Sequence, residues 1–203
     1  MKKLSLAILG ATALCALPLS AATAQIVTNG GFETGDFTGW TVTGSDACVG
    51  ASSNCDGTYN FPLDPGPHSG SYAAYLGASV NLTGGPDVLS QTLPTIAGGN
   101  YELQFYVSAF GGFSGNATPN TFQISVDGSP VDSFTDLNTG AAYNEYSYLF
   151  SAAGGDTLAF TTSNDNSFFA VDDVSVTAAP EPATLTLLGV GLAGLAAVRR
   201  RRG

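Results

Sequence analysis

Short alternating runs of hydrophobic and polar residues, separated by Gly, Asn, Asp and Pro, extend over residues 25–177. Alternation with a period of two is typical of strands that bury one face, and no stretch has the 3.6-residue period of an amphipathic helix. In YELQFYV, for example, Tyr101, Leu103, Phe105 and Val107 share one face. The pattern predicts about eight to ten short strands.

The stretch TFQISVDGSPVDSF predicts a β-hairpin. Phe122, Ile124 and Val126 share one face of its first strand, and Asp127-Gly128 is typical of the tight turn between hairpin strands. The stretches YSYLFSA, DTLAFTT and FFAVDDVSV supply further strands. Because each short strand must cover its hydrophobic face, we predict an all-β fold, an antiparallel β-sandwich.

The charges of the chain are segregated. The six basic residues lie at positions 2, 3 and 199 to 202, with no Lys or Arg between. Every acidic residue except Glu181 lies between positions 25 and 180, so this part carries fifteen negative charges near neutral pH. Such a domain repels phosphate backbones and anionic membranes, which excludes nucleic acid as a partner. It also has no Lys or Arg for catalysis or anion binding.

Residues 1–24 have the layout of a secretory signal peptide, with a basic start, an apolar run and an Ala-Thr-Ala ending. Cleavage after Ala24 would leave Gln25 as the amino terminus. We therefore expect one exported domain over residues 25–178, a length typical of a single domain.

Export changes the meaning of the two remaining cysteines, Cys48 and Cys55. Six residues separate them, in a stretch rich in Gly, Ser and Asn. In an oxidising compartment this arrangement favours a disulfide. The alternative, a metal pair, would need a His or a third Cys nearby to complete a zinc site, and the stretch contains neither.

Residues 179–203 form a separate C-terminal tail. The run from Ala183 to Val198 is uncharged and would be about 24 Å long as a helix, which is short for a membrane span. Four arginines follow it directly: Arg199, Arg200, Arg201 and Arg202. Their side chains can reach the headgroups, and the positive-inside rule places them in the cytoplasm. We expect an apolar helix that stops translocation and is the chain's only contact with the membrane.

Pro180, Glu181 and Pro182 precede the apolar run. The order of a Pro-Glu-Pro motif, a short apolar stretch and an arginine cluster resembles the PEP-CTERM sorting signal of exopolysaccharide-producing Gram-negative bacteria. The resemblance implies transient anchoring in the inner membrane and recognition by an exosortase, a membrane protease. Removal of the tail would then leave the protein at the cell surface or outside the cell. The alternative is a permanent single-span anchor.

Two motifs at the ends of the domain, VTNGGFETGDFTGWTV and FFAVDDVSV, resemble the opening and closing strands of jelly-roll carbohydrate-binding modules. The resemblance implies a jelly-roll β-sandwich over residues 25–178. It also implies a structural calcium bound by Glu33 and Asp172, with Asp173 as an alternative ligand. Calcium suits such a site because it takes six to eight oxygen ligands, including backbone carbonyls.

The alternation of the last strand also singles out Asp172. If Val174 and Val176 face the core, Asp172 lies on the same face, where an ionised carboxylate is costly. Because the domain has no Lys or Arg, the site needs an external cation, a protonated carboxyl group or a β-bulge that breaks the alternation. The alternative is that Asp172 and Asp173 cap a strand end at the surface.

Aromatic side chains are candidates for contact with sugar rings, although most aromatic residues in strands belong to the core. Four are predicted to bind glycan: Tyr59, Phe61, Tyr72 and Tyr75. Trp40 follows the opening motif, a position that favours core packing. His68 lies in a proline-rich loop without an identifiable partner.

No nucleophile motif, zinc motif or phosphate loop occurs in the sequence. We therefore expect a non-enzymatic protein of the cell surface or the exopolysaccharide matrix, with exopolysaccharide as a candidate partner. The alternative is a carboxylate-dependent glycosidase or polysaccharide lyase of the same fold, since fifteen acidic residues could supply a catalytic pair.

Overall fold

The computed structural model describes residues 24–44, 47–51, 66–77, 86–110, 119–164 and 167–179, together with six residues of the tail. These six are helical: Gly189, Gly191, Leu192, Gly194, Arg199 and Arg200. The predicted signal peptide, apart from Ala24, and the Pro-Glu-Pro motif lie outside the described residues. Among the residues described, no helical segment combines the length and the apolar character that a membrane span requires.

Ten strands are present in the described part of the chain. They are β1 (Thr41–Thr43), β2 (Cys48–Gly50), β3 (Ala73–Gly77), β4 (Asp87–Thr92), β5 (Asn100–Phe110), β6 (Asn120–Val126), β7 (Ser129–Thr135), β8 (Asn144–Ser151), β9 (Thr157–Asn164) and β10 (Phe168–Ala178).

The strands form two five-stranded sheets, and each pair of neighbouring strands is antiparallel. Sheet I has the order β1-β4-β9-β6-β7, and sheet II has the order β2-β3-β10-β5-β8. The chain crosses repeatedly between the sheets, so that strands adjacent in sequence are seldom adjacent in a sheet. This architecture confirms the predicted all-β, antiparallel sandwich.

The core lies between the sheets and follows the alternation of the sequence. Leu103, Phe105 and Val107 of β5 are fully buried, as predicted. The Phe105 ring centroid lies 5.0 Å from that of Phe160 and 6.1 Å from that of Phe122, both in sheet I. Removing such a central ring typically costs about 3 to 5 kcal/mol, so these contacts between the sheets dominate the packing.

The predicted hairpin is present as β6 and β7. Asp127 and Gly128 have φ values of 50° and 73°, the two positive angles that a type I′ turn requires. Asp127 tolerates this conformation better than most non-glycine residues, and Gly128 has no Cβ to strain it. The turn pairs Val126 with Ser129, and a register shift between Ser125 and Ile124 separates this pairing from that of Phe122 with Phe134.

Of the three alternatives given for Asp172, the structure shows the last, because a β-bulge in β10 breaks the alternation. Asp172 is opposite Tyr106 and Ser175 is opposite Gln104, so two residues of β10 oppose one residue of β5. The extra residue is Asp173, with φ of 49°. Val171 and Val174 both face the core, whereas Asp172 lies on the outer face of sheet II with Ala170.

The opening segment, residues 25–40, joins the two sheets. The Ile26 N–H donates to the Val176 carbonyl of sheet II at 3.0 Å. The Gln91 side chain of sheet I accepts from the Thr28 N–H at 2.7 Å and donates to its carbonyl at 2.9 Å. Trp40 follows and is nearly buried, with its indole N–H bonded to the Asn29 carbonyl at 3.1 Å. The predicted core position of Trp40 is confirmed.

Cys48 in β2 is disulfide-bonded. Its expected partner, Cys55, lies outside the described residues. The Cys48–Cys55 pairing therefore stays a prediction.

A carboxylate cluster and an aromatic platform on sheet II

Two carboxylates of the last strand and the Cγ methylene of Glu33 lie around Gly31. A Cβ built on Gly31 would lie 3.5 Å from Asp173 Oδ1 and 3.9 Å from both Asp172 Oδ1 and Glu33 Cγ. The bulge in β10 places the two aspartates here, and the Val174 N–H holds the opening loop against it by donating to the Gly30 carbonyl at 2.9 Å. We call Glu33, Asp172 and Asp173 the carboxylate cluster.

Asp172 is fully buried, although it lies on the outer face of sheet II. Its Oδ2 accepts from the Ser69 N–H at 3.1 Å, and its Oδ1 accepts from the Asp173 N–H at 2.7 Å. Burial raises the pKa of Asp172 to about 6, against these hydrogen bonds, and the nearby charge of Asp173 adds to the increase. The carboxyl group thus changes charge close to neutral pH.

Asp173 is held by side chains of the segment 66–72. Its Oδ2 lies 2.7 Å from His68 Nδ1, and its Oδ1 accepts from the Ser69 hydroxyl at 2.7 Å. His68 is 33% exposed at its side chain and so is a partly screened partner. The expectation that His68 lacks a partner is wrong, because its partner is 105 positions away in sequence.

Glu33 fixes the same segment from the opposite side. Its Oε1 accepts from the N–H groups of Ser71 at 2.8 Å and Tyr72 at 3.0 Å. Gly70 makes this approach possible, because a Cβ at position 70 would lie only 2.3 Å from Glu33 Oε1. Gly70 also has φ of 62°, which disfavours other residues there.

The donors of the carboxylate cluster fit calcium in kind, since all are oxygens and the domain offers no Lys or Arg to neutralise them. Most of these oxygens also accept one or more protein hydrogen bonds, and an ion would have to use their remaining lone pairs. Within the described residues, no group of three His, Cys, Asp or Glu side chains is arranged so that it could hold a metal ion. Calcium here would therefore need backbone carbonyls as additional ligands.

An aromatic platform lies beside this cluster on the outer face of sheet II. The rings of His68 and Tyr106 are stacked, with centroids 3.8 Å apart and an interplanar angle of 14°. The Tyr143 ring lies 5.2 Å from His68, and its hydroxyl donates to the Gly66 carbonyl at 2.9 Å. We define the aromatic platform as His68, Tyr106 and Tyr143.

Polar side chains continue this face along β5 and β8. Gln104 donates from Nε2 to Glu145, and the Ser147 hydroxyl donates to Glu102 Oε1 at 2.7 Å. Burial, followed by the charge of Glu145, raises the pKa of the Tyr106 phenol, which is therefore uncharged and can donate a hydrogen bond near neutral pH. The face thus combines rings with an amide, two carboxylates and hydroxyls.

Of the four predicted glycan-binding residues, the structure describes Tyr72 and Tyr75. Tyr59 and Phe61 lie outside the described residues. Tyr72 is 36% exposed and its ring lies against Gly35. Tyr75 is fully buried beside Ala170, so it offers no surface to a ligand in this structure.

His68, Tyr106 and Tyr143 were not among the glycan-binding residues predicted from the sequence. For Tyr106 a signal existed, because alternation in YELQFYV puts Tyr106 and Gln104 on the face opposite the core. For His68 and Tyr143 no local signal exists, because loops bring them to the sheet.

Residues 178–202 match the model of the PEP-CTERM protein-sorting motif. This match confirms the predicted sorting signal, which occupies the end of the chain. No curated protein matches the sequence.

Solved structures with a similar fold include carbohydrate-binding modules. TmCBM61, determined in complex with β-1,4-galactotriose, is 19% identical, with a TM-score of 0.55 over 77% of this chain and 100% of that one. The CBM22-1 xylan-binding domain of Paenibacillus barcinonensis Xyn10C is 17% identical, with a TM-score of 0.52 over 80% of this chain and 100% of that one. These neighbours confirm the jelly-roll fold.

Enzymes also share the fold. A Stig cyclase from Fischerella sp. TAU is 16% identical, with a TM-score of 0.55 over 79% of this chain and 100% of that one. The fold by itself therefore does not separate binding from catalysis.

Proposed function

We propose that this chain is an exported, non-enzymatic protein of the cell surface or exopolysaccharide matrix, which binds glycan and whose tail is recognised by an exosortase. The observation that carries the proposal is the sorting motif at residues 178–202, directly after a jelly-roll domain with a mixed aromatic and polar face. The sorting motif supports a location at the cell surface, and the aromatic and polar face supports glycan binding at that location.

The tail enters the inner membrane transiently before processing. Its apolar run stops translocation, and its arginines remain on the cytoplasmic side. The exosortase then cuts close to the Pro-Glu-Pro motif and releases the domain or re-attaches it at the surface. If the tail were not cut, it would instead anchor the protein permanently in the membrane.

Glycan binds on the aromatic platform and the polar residues beside it. Rings of Tyr106 and Tyr143 cover the apolar face of a sugar, while Gln104 and Glu145 exchange hydrogen bonds with its hydroxyl groups. A domain with fifteen acidic residues and no Lys or Arg would repel polymers of uronic acids. We therefore propose a neutral glycan.

The carbohydrate-binding neighbours support this proposal through their fold. TmCBM61 was solved with β-1,4-galactotriose, and the CBM22-1 domain is a xylan-binding domain. Both ligands are chains of neutral sugars. At the observed identities the comparison does not identify this chain's ligand.

Binding is tested with the purified domain and a panel of neutral polysaccharides, including material from the source organism, by retention and calorimetry. Tyr106→Ala should weaken retention strongly, since it removes an aromatic surface that the sugar would cover. Thr135→Ala, at an exposed position of sheet I, is the control and should retain normal binding. No retention of the unchanged domain on any polysaccharide would contradict glycan binding.

The same incubation tests the enzymatic alternative. Glu102 and Glu145 both lie on the polar part of this face, where a glycosidase would need its carboxylates. New reducing ends or unsaturated products, lost in Glu102→Gln or Glu145→Gln, would replace the binding proposal with catalysis.

We further propose that calcium occupies the carboxylate cluster as a structural ion. Glu33 and Asp172 are its side-chain ligands, with Asp173 as the alternative. The ion would connect the opening loop to the last strand and would keep segment 66–72, which carries His68, in place. Calcium would thus support the aromatic platform indirectly.

A further inference from the structure

The sorting motif overlaps the last strand of the sandwich. Strand β10 continues to Ala178, and the Ala179 N–H still donates to the Asn100 carbonyl of β5 at 2.8 Å. The sorting motif begins at residue 178, inside this strand. The last residues of the folded domain are therefore the first residues of the motif.

The available chain between domain and membrane is short. The apolar run begins at Ala183, four residue steps after Ala179. Fully extended, four steps span at most about 14 Å. The headgroup region on each side of a bilayer is roughly 5 to 8 Å thick, so an inserted tail holds the end of β10 at or close to this region.

The end of the sandwich where β10 terminates can be defined from the strand directions. Strand β5 begins there at Asn100, and β8 ends there at Ser151, its partner in register. The loops 93–99 and 152–156 lie at this end, since the Gly98 N–H donates to the Ala152 carbonyl at 2.8 Å. We call loops 93–99 and 152–156, together with Leu149, the tail-side end.

Two large hydrophobic side chains are exposed at the tail-side end. Ile96 is 74% exposed in loop 93–99, and Leu149 is 73% exposed near the end of β8. They are more exposed than any other large hydrophobic side chain among the described residues. Single exposed leucines are ordinary, but here both lie where the chain leaves for the membrane.

Loops 93–99 and 152–156 themselves expose little charge, but Asp127 of the neighbouring β6–β7 turn is exposed and accepts from the Thr157 N–H at 2.7 Å, so one exposed carboxylate lies at this end. Asp156 is buried, and its carboxylate accepts from the N–H groups of Ala153 at 2.8 Å and Gly154 at 3.1 Å and from the Thr95 hydroxyl. Glu102, opposite Leu149 in register, is half-buried and bonded to Ser147. This end can therefore approach a bilayer at a lower electrostatic cost than the charge of the whole domain suggests.

We propose that the tail-side end is a membrane-facing surface, on which Ile96 and Leu149 enter the lipid headgroup region while the tail is inserted. The proposal rests on the insertion of the tail in the proposed function. The occupant of this surface is the bilayer, and the surface is vacated when the tail is cut.

Tryptophan quenching tests the proposal. The processed chain with its tail intact, from a host that lacks an exosortase, is reconstituted into phosphatidylcholine vesicles brominated near the headgroup end of the acyl chains. In a Trp40→Phe background, Ile96→Trp and Leu149→Trp each place one exposed tryptophan at the tail-side end. Thr135→Trp is the matched control, exposed at the opposite end of sheet I.

We expect Trp fluorescence to be lost at positions 96 and 149 and retained at position 135. Either of the two variants is sufficient if the other does not fold. A chain that floats with the vesicles but shows no quenching at 96 and 149 contradicts the membrane-facing surface and leaves tail insertion intact. Equal quenching at 135 also contradicts it, because the domain would then lie on the bilayer without a preferred end. Failure to float contradicts tail insertion itself.

Discussion

His68 Nδ1 and Asp173 Oδ2 lie 2.7 Å apart and join a loop to the last strand across 105 positions of sequence. Because the chain has no Lys or Arg between residues 4 and 198, His68 is the one side chain in this range that gains a positive charge when it is protonated. The same histidine is stacked on Tyr106. One residue thus links the carboxylate cluster to the aromatic platform.

We predict that His68→Ala lowers the free energy of unfolding by about 1 to 2 kcal/mol. A partly exposed ion pair contributes up to about 1 kcal/mol, and an aromatic contact adds about 0.5 to 1.5 kcal/mol. Urea denaturation checks the value, with Thr135→Ala as a surface control. A change as small as that of the control would mean that the His68 contacts contribute no stability.

We predict that the calcium-free domain becomes more stable as the pH falls from 7 towards 4. The folded-state pKa of Asp172 is about 6, above its ordinary value of 3.8, so the folded protein takes up a proton that the unfolded chain does not. The gain begins near pH 6, is complete below the unfolded pKa and amounts to about 3 kcal/mol at most. Denaturation with a chelator present measures it.

Asp172→Asn should remove most of this pH dependence. Asp156 does not interfere in this window. Burial opposes its ionisation, but its hydrogen bonds outweigh burial and lower its pKa to about 2. Its contribution is therefore lost only as the pH falls below about 4. An unchanged pH profile in Asp172→Asn would assign the effect to another group.

We predict that calcium raises the melting temperature of the domain. At a concentration 100-fold above its dissociation constant, an ion that binds only the folded state adds about 2.7 kcal/mol. Glu33→Gln and Asp172→Asn should each remove most of this gain. Asp136→Asn should not, because Asp136 lies in an exposed turn outside the carboxylate cluster.

Magnesium separates a specific site from diffuse attraction to an acidic surface. A diffuse effect would be equal for both ions and would be screened by salt. Equal responses to calcium and magnesium, or a melting temperature that a chelator leaves unchanged, would rule out the site.

We predict a disulfide between Cys48 and Cys55. Closing so small a loop stabilises the fold by about 2.5 kcal/mol on the chain-entropy model. Alkylation of the unreduced mature protein should find no free thiol, and peptide mapping should find the two cysteines in one linked pair. Two alkylated cysteines without reduction would refute the prediction.

We predict that the secreted protein lacks the residues beyond about the Pro-Glu-Pro motif. Exosortase processing removes the apolar run together with Arg199 to Arg202. Intact-mass measurement of surface or medium material checks this, compared with the same gene expressed without the exosortase. Secreted protein that still carries the four arginines would contradict processing.

The strands and the core were predictable because the pleat of a strand imposes a strict period of two. Phe105 and Ile124 are buried for this local reason. The face of Asp172 could not be fixed in the same way, because the alternation left a β-bulge, a protonated carboxyl group and an external cation as alternatives. Sequence alternation alone cannot indicate where an extra residue interrupts it.

In the candidate site, too, residues in strands could be placed from the sequence and residues in loops could not. Tyr106 could be placed on the outer face by its position in β5. Its neighbours His68 and Tyr143 come from loops, whose path is set by long-range contacts such as Glu33 with Ser71. The resemblance of the two end motifs therefore pointed to Glu33, Asp172 and Asp173. The aromatic platform became visible only in the three-dimensional structure.

Strand β10 is the last strand in the chain and the middle strand of sheet II. If the chain is exported from its amino terminus, the first nine strands reach the periplasm without the strand that must pair β3 with β5. The sandwich can close only when residue 178 has crossed, which is the moment at which the arginine-flanked tail halts the passage. If the tail halts translocation as proposed, completion of folding and arrest of translocation would coincide, and the exosortase would meet a finished domain rather than a nascent one.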